Sequence, residues 1–180
     1  MIIFIFGLPG SGKTTVARRI AEEMDVSFIS TEMVYATLVE EFHIEADRDF
    51  SEFELKILYN ASLLILRYLI ENNKDVVIEG VFRSFGQRRR VYELASEYNE
   101  KVISFYLQCA EEVLIKRLER RKKGVTPSPA GPETLPIIKK GFEEPRNGKN
   151  VIVINNDSDI ENTVEIIKQH LPVCTTARKQ

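Results

Sequence analysis

The chain has 180 residues, of which 43% are hydrophobic and 29% charged, and its formal net charge is −2. These values predict a single globular domain with a sizeable core, and they give no global basic field for binding nucleic acid. The two cysteines, Cys109 and Cys174, are too few for a disulfide framework, so we expect a cytoplasmic protein. We expect no signal peptide, because the first apolar run begins at Ile2. We also expect no membrane span, because the longest such run is short and contains Arg67.

Residues 7–14 read Gly-x-x-x-x-Gly-Lys-Thr, between an apolar run at 2–6 and an amphipathic pattern that begins near Lys13. The run predicts a buried strand and the pattern predicts a helix, which is the context of a phosphate-binding loop. Its glycines let backbone N–H groups converge on phosphates at the positive end of the helix dipole. Lys13 would reach the β- and γ-phosphates of ATP, and the Thr14 hydroxyl would hold Mg²⁺. The predicted nucleotide-binding residues are Gly7, Pro9, Gly10, Ser11, Gly12, Lys13, Thr14 and Thr15.

Downstream of this loop, apolar runs and helical patterns alternate along the chain. Further strands are predicted at residues 26–30, 76–79, 102–107 and 151–154. Helices are predicted to begin near residues 33, 51, 88, 110, 135 and 160. The helix over 51–73 is apolar on most sides, so we expect it to belong to the core. The alternation predicts an α/β fold, in which a five-stranded parallel sheet carries helices on both faces.

Residues 124–150 hold five of the seven prolines and four of the nine glycines. A segment of this length inside a compact domain is typical of an active-site lid, and we expect it to be mobile until ligands bind. The predicted domain covers residues 1–172 with this lid included, and residues 173–180 are predicted to form a flexible tail.

Three polar residues follow the predicted strands at the edge where parallel sheets bind ligands. Glu79 ends the third strand, beside the expected loop strand, and could order the Mg²⁺ shell or act on the phosphoryl acceptor. Glu32 follows an outer strand and is the second candidate for a general base or acceptor anchor. Arg83 could hold an anionic acceptor bidentately. The sequence leaves open which of Glu32 and Glu79 would act as the base.

Arg117, Arg120 and Arg121 stand at i, i+3 and i+4, so one helix face carries all three arginines. Cations at this position, next to a closing lid, would neutralise charge on the transferring phosphoryl group. The alternative is a solvated basic face. The arginines at 88–90 are consecutive, so at most one or two of them can face the same cleft.

Together these motifs resemble the small P-loop kinases, which include polynucleotide 5′-hydroxyl kinases, gluconate- and shikimate-type kinases, zeta-toxin-like kinases and nucleoside monophosphate kinases. The resemblance covers residues 1–171 and implies a three-layer P-loop NTPase fold. In that group the positions of Glu32 and Glu79 are more often aspartate, and Tyr35 stands where an arginine often follows. Phe82 replaces a proline of the segment in which nucleoside monophosphate kinases bind the acceptor phosphate with an arginine.

The sequence therefore predicts a kinase that transfers the γ-phosphoryl group of Mg-ATP to a hydroxyl of a small molecule or of a nucleic-acid end. A nucleoside or nucleotide kinase is the closest alternative. A regulatory nucleotide-binding module, or an NTPase without a dedicated acceptor, is an alternative of another class. The expected partners are ATP and an unidentified acceptor. Nucleic acid is not indicated by the net charge, and no membrane partner is expected.

Overall fold

In the computed structural model of this protein, the described residues are 1–42, 51–122, 130–145, 151–157 and 159–172, without the side chains of 39–42 and 122. Their strands are β1 (Ile2–Phe6), β2 (Ser27–Ser30), β3 (Val76–Gly80), β4 (Val102–Gln108) and β5 (Val151–Asn155). Their helices are α1 (Lys13–Met24), α2 (Thr31–Phe42), α3 (Glu52–Glu71), α4 (Phe85–Glu97), α5 (Glu111–Lys122), α6 (Leu135–Lys140) and α7 (Ile160–His170).

The strands form one parallel sheet in the order β2-β3-β1-β4-β5. This order confirms the predicted α/β architecture. It also confirms that β3 lies beside β1, the strand before the loop, while β2 lies at the edge. In the register, Ser30 is opposite Glu79 and Phe6 is opposite Gly80. The carboxyl ends of these three strands therefore meet at one level, where the phosphate loop begins.

Alternate residues of β1 face the two sides of the sheet, and every one of them is buried. Ile3 and Ile5 belong to an apolar cluster with residues of α1 and α7, such as Ile20 and Ile167. The even-numbered residues of β1 belong to a second cluster with residues of α3 and α4, such as Leu66. Helices lie on both faces of the sheet, so the domain has three layers. Both faces of β1 are therefore covered, which explains why its sequence is continuously apolar.

The described part of the Pro/Gly-rich segment packs against the body of the domain. Leu135 and Ile138 of α6 are buried in a third apolar cluster, which includes Leu114 of α5. Beyond this helix, the ring of Phe142 stacks on Tyr106 with centroids 5.7 Å apart. Residues 130–145 thus contact the body of the domain, and the lid predicted at residues 124–150 stays a prediction. Residues 123–129 and 146–150, and the predicted tail at 173–180, lie outside the described residues.

The expectation that α3 is core on most sides is wrong for one face. Leu58, Leu66 and Ile70 are buried, but Leu64 is 68% exposed and Tyr68 is 64% exposed. A helix on the face of a sheet can bury only the side toward the sheet, and the described residues place no further layer outside α3. Among the described helices, none is long and apolar enough to cross a membrane.

Two helix starts differ from the sequence-based prediction because of local capping. Helix α4 begins three residues early, because Ser84 accepts a hydrogen bond from the Gln87 amide while the Gln87 side chain accepts one from the Ser84 amide. Helix α2 begins at Thr31, directly after β2. Glu32 therefore lies in the first turn of this helix, where the helix dipole favours a carboxylate.

Candidate active site

The loop between β1 and α1 has a backbone that only glycine adopts easily. Gly10 has φ 81° and Gly12 has φ 86°, both in the left-handed region. A Cβ atom on Gly12 would lie 2.6 Å from Nδ2 of Asn156, so no side chain fits there. Helix α1 begins directly after Gly12, with Lys13 as its first residue. The loop is therefore a narrow cradle at a helix N-terminus, which fits the triphosphate of ATP.

Asn156 is hydrogen-bonded to the backbone of this loop. Its Nδ2 donates to the Ser11 carbonyl at 2.7 Å, and its Oδ1 accepts from the Thr163 hydroxyl at 2.7 Å. Its backbone N–H donates to the Gln108 carbonyl at 2.9 Å, and the residue is buried. The sequence analysis missed Asn156. The signal was present, because it is the polar residue directly after β5, at the same edge of the sheet as Glu79.

Glu79 joins the phosphate loop to the neighbouring strand. Its Oε1 accepts a hydrogen bond from Thr14 Oγ1 at 3.1 Å, and the Ser30 hydroxyl donates to the same oxygen. The carboxylate is 1% exposed. Burial raises the pKa of Glu79, while the nearby Lys13 ammonium and the hydroxyls of Ser30 and Thr14 oppose that rise. Burial also lowers the pKa of Lys13, against the attraction of Glu79. The predicted proximity of Glu79 and Thr14 is confirmed.

The oxygen atoms of Thr14, Ser30 and Glu79 form a small set of hard donors beside the cradle. Mg²⁺ prefers such oxygens and usually takes only one or two protein ligands, since water and phosphates complete its shell. The described residues contain no group of three or more His, Cys, Asp or Glu side chains that could hold a metal ion by themselves. The oxygens of Thr14 and Glu79 fit a Mg²⁺ ion that accompanies a nucleotide, because phosphates and water would complete its shell.

Glu32 and Arg121 form an ion pair across the site, between the first turn of α2 and the last turn of α5. Their side chains are 25% and 29% exposed. The predicted base candidate is therefore held by one of the predicted cations. Glu32 and Arg121 line the same cavity as Lys13 of the phosphate cradle.

Arg117 lies on the loop side of the same helix. Its Nη1 donates to the Gly10 carbonyl at 3.5 Å and its Nη2 to the Asp157 carbonyl at 3.4 Å. It also contacts the thiol of Cys109, whose pKa is raised by burial. Arg117 thus braces the loop next to the strand end of β5, and this position suits contact with a nucleotide better than contact with an acceptor.

The arginines at 88–90 do not line the cleft. Arg88 is buried behind it, where Nη1 donates to the Phe82 carbonyl at 2.9 Å and Nη2 to the Glu143 carbonyl at 2.7 Å. Its guanidinium lies 5.0 Å from the centroid of the Phe6 ring. Burial lowers the pKa of Arg88. Arg88 therefore anchors residues 130–145 to the sheet, and has no part in the site.

One cavity of about 570 Å³ brings the predicted residues together. Of the predicted site residues, all except Gly7 and Ser11 line it, and those two are buried residues of the loop itself. The side of the cavity formed by the phosphate loop, with Arg18, Arg117 and Ile160, is here called the nucleotide half. The side formed by α2, α3 and the loop after β3 is called the acceptor half. Its described lining from α2 and α3 is Thr31, Glu32, Met33, Tyr35, Leu55, Leu58 and Tyr59, and the loop after β3 adds Val81 and Arg83.

Comparison with known protein families settles the chain's membership. Residues 2–145 match the model of a family described as an AAA domain. The chain belongs to this family. With the cradle at residues 7–14, it is a P-loop protein of the kinase type, as the resemblance implied.

Three proteins are similar to this chain in sequence or in fold. An adenylate kinase from Azobacteroides pseudotrichonymphae is 30% identical over 128 residues, which cover 67% of this chain and 66% of the relative, just under two thirds of its length. A gluconokinase structure from Sinorhizobium meliloti 1021 is 19% identical with a TM-score of 0.68, covering 91% of this chain and 86% of that chain. Chaetomium thermophilum Kti12, in complex with ADP-AlF3, is 21% identical with a TM-score of 0.64, covering 94% and 98%. The two solved structures show that this AAA-domain protein shares their fold.

Proposed function

We propose that this AAA-domain protein is an ATP-dependent kinase that transfers the γ-phosphoryl group of Mg-ATP to a hydroxyl group of a small-molecule acceptor. The observation that carries the proposal is the hydrogen bond from Thr14 Oγ1 to Glu79, at 3.1 Å. This bond joins the buried Glu79 carboxylate to the phosphate cradle, and Glu79 lines the same cavity as Glu32 and Arg83, which supports a site for two substrates. A regulatory nucleotide-binding module would need the cradle, but it would not need an acceptor half.

In this reaction the loop amides and Lys13 would bind the phosphates, and Thr14 with Glu79 would hold Mg²⁺. When bound, Mg²⁺ neutralises the charge of the phosphates and orients them. Arg120 lines the cavity on the same helix face as Arg117 and would supply a further cation. Catalysis by these residues is mainly positioning and electrostatic stabilisation, which is what phosphoryl transfer requires.

A proton must leave the acceptor hydroxyl, and two carboxylates are available. Glu32 lies in the acceptor half, in its ion pair with Arg121. Glu79 lies nearer the loop, with hydrogen bonds from Ser30 and Thr14. We assign the role of general base to Glu32 and the role of metal ligand to Glu79. The reason is that Oε1 of Glu79 already accepts a hydrogen bond from Thr14 of the phosphate loop. Arg83 would bind an anionic group of the acceptor.

The similar proteins support this proposal. The adenylate kinase and the gluconokinase are kinases by name, and the Kti12 structure holds a nucleotide with AlF3. Their acceptors differ, so they do not select one for this chain. The low cysteine count continues to favour a cytoplasmic site of action.

The test is acceptor-stimulated release of ADP, measured with ATP and Mg²⁺ against a panel of candidate acceptors. Lys13→Ala should lower turnover by about 10²-fold or more, because a cation on the transferring phosphoryl group is lost. The matched control is Lys74→Ala, which removes an exposed lysine between α3 and β3. Full turnover in Lys13→Ala, or ADP release that no acceptor stimulates, would contradict the proposed kinase.

A further inference from the structure

The described walls of the acceptor half are mostly apolar and aromatic. Leu55, Leu58 and Tyr59 stand at i, i+3 and i+4 of α3, so one face of this helix turns all three toward the cavity. Tyr35 stands one turn after Glu32 on α2 and lines the cavity beside it. Both tyrosines are 6% exposed, so their rings are parts of the wall.

The polar side chains of this half are few, and Glu32 among them is paired with Arg121. Burial raises the pKa of Tyr59 to about 12. The ring of Tyr59 also packs on the Phe82 ring, with centroids 5.1 Å apart, which fixes its orientation.

These walls suit a flat ring better than a polyol. A sugar or sugar acid carries a hydroxyl on nearly every carbon, and each hydroxyl pressed against leucine or tyrosine faces would lose its hydrogen bonds with water. A planar aromatic ring loses no hydrogen bonds at its faces and gains contact with aromatic and aliphatic side chains.

We infer that the phosphoryl acceptor is a small molecule with a planar aromatic ring, bound against Tyr35, Leu58 and Tyr59 in the acceptor half. The inference rests on the proposed kinase function and names the substrate class for that site. The reacting hydroxyl lies on the substituent that reaches toward Glu32. The acceptor oxygen forms a bond to the γ-phosphorus, the bond from that phosphorus to the β–γ bridging oxygen breaks, ADP leaves, and the hydroxyl proton passes to Glu32.

Arg83 adds a second determinant at the same wall. It lines the cavity close to Tyr59, on whose ionisation its charge acts, and it belongs to the loop after β3. An anionic substituent on the acceptor would lie within reach of this guanidinium. Arg83→Gln should therefore weaken the binding of anionic aromatic acceptors more than the binding of neutral ones. This difference separates the contribution of the acceptor's ring from that of its charge.

The experiment compares acceptors of matched size in the ADP-release assay. The panel holds nucleosides, nucleoside monophosphates and an aromatic alcohol without ribose on one side, and gluconate, shikimate and hexoses on the other. A short oligonucleotide with a 5′-hydroxyl end completes it. We expect stimulation by ring-bearing small molecules. Stimulation by the polyols alone would overturn the inference and leave the kinase proposal intact. A preference for the oligonucleotide over free nucleosides would overturn the inference together with the small-molecule acceptor of the kinase proposal, but not ATP-dependent phosphoryl transfer itself.

Variants test the wall itself. Tyr35→Ser should raise the KM of the aromatic acceptor by about 5- to 100-fold, the range expected when a stacking side chain is lost, and should raise the KM of ATP much less. The matched control is Tyr68→Ser, on the exposed face of α3, 64% exposed. Saturation-transfer NMR with the wild-type protein gives an independent readout, since ring protons of the acceptor should receive more saturation than its ribose or chain protons. Equal KM values in Tyr35→Ser and wild type would overturn the inference.

If no compound on either side stimulates ADP release, the kinase proposal fails together with the inference. If a polyol stimulates ADP release and no aromatic compound does, the inference is wrong but the kinase proposal stands. The two failures are therefore distinguishable in one assay.

Discussion

The side-chain amide of Asn156 donates to the carbonyl of Ser11 at 2.7 Å, which ties the end of β5 to the middle of the phosphate loop. The same amide group accepts from Thr163 on α7, so its orientation is fixed at both ends. A loop that must present several N–H groups to phosphates depends on a rigid backbone, because small displacements of positioning groups cost large factors in rate. Asn156 is thus a positioning residue for the cradle.

The first prediction concerns this brace. Asn156→Ala removes two buried hydrogen bonds, those to the Ser11 carbonyl and from the Thr163 hydroxyl. These groups keep only their contacts with the Cys109 thiol at 3.8 Å and the Asp159 carbonyl at 3.1 Å, so the free energy of unfolding should fall by about 1–3 kcal/mol. The KM of ATP should rise by about 10-fold, because the loop is no longer held. Urea unfolding and steady-state kinetics measure the two effects. Asn162→Ala, an exposed position on α7, is the matched control. A variant with lower stability and an unchanged ATP KM would show that the brace is purely structural.

The second prediction separates the two carboxylates. Glu79→Gln should shift the Mg²⁺ requirement upward with every acceptor, because the charge beside Thr14 is lost. Glu32→Gln should lower kcat with the true acceptor by about 10²–10⁴-fold, the range of a general base, and should change the Mg²⁺ dependence far less. Rate profiles against Mg²⁺ concentration for both variants provide the measurement. If Glu32→Gln behaves as wild type and Glu79→Gln is inactive, then Glu79 is the base and the division of roles proposed above is wrong.

The third prediction concerns residues 130–145. The Glu143 amide donates to the Arg83 carbonyl at 2.8 Å, and the Glu143 carbonyl accepts from Arg88 at 2.7 Å. Hydrogen exchange of the Glu143 amide should therefore be slow with or without ATP. Arg88→Met should speed that exchange, since the anchor to the sheet is removed. Arg89→Met, which changes an exposed neighbour, is the control. Fast exchange at Glu143 in the wild type without ATP would contradict this anchoring and would support the mobile lid at residues 124–150 that the proline and glycine content predicts.

The fourth prediction uses the buried phenol of Tyr59. Burial raises its pKa from 10.0 to about 12. Below pH 10 the folded and unfolded states both keep the proton, so this group then adds no pH dependence. Between pH 10 and 12 the unfolded state ionises first, so the free energy of unfolding should decrease as the pH rises, by on the order of 2 kcal/mol from this group.

Urea unfolding at a series of alkaline pH values measures that slope. Tyr106, whose pKa burial also raises to about 12, acts in the same direction, so Tyr59→Phe should make the slope smaller without abolishing it. Tyr68→Phe makes the same chemical change on the exposed face of α3. An identical slope in Tyr59→Phe and wild type would contradict the raised pKa that we assign to the buried Tyr59 phenol.

The sequence was sufficient for the fold and for most of the site because the informative signals were local. The apolar run of β1, the glycines of the loop and the position of Glu79 at a strand end each follow from short stretches of residues. The rule that ligands gather at the carboxyl ends of parallel strands then placed Glu32 and Glu79 correctly relative to the loop.

What the sequence did not predict depends on long-range packing. The position of Asn156 after a predicted strand indicates a site residue, but its contact with Ser11, 145 positions away in the chain, depends on how the strand and the loop pack together. The burial of Arg88 depends on aromatic rings from β1 and from the segment after α6. The exposed face of α3 was mistaken for core, because periodicity identifies apolar residues but does not show how many layers of the protein will cover them.

The position of β3 between β1 and β2 has a consequence for how the two substrates affect each other. One oxygen of Glu79 accepts from Thr14 on the loop side and from Ser30 on the edge-strand side. We expect a ligand that draws Thr14 away to alter the hydrogen bond of Ser30, next to the helix that carries Glu32. This predicts that the two halves are thermodynamically coupled through Oε1 of Glu79. Such coupling is reciprocal, so ATP should change the affinity for the acceptor by the same factor as the acceptor changes the affinity for ATP. Calorimetric titrations in both orders of addition measure that factor, and Ser30→Ala should bring it closer to one.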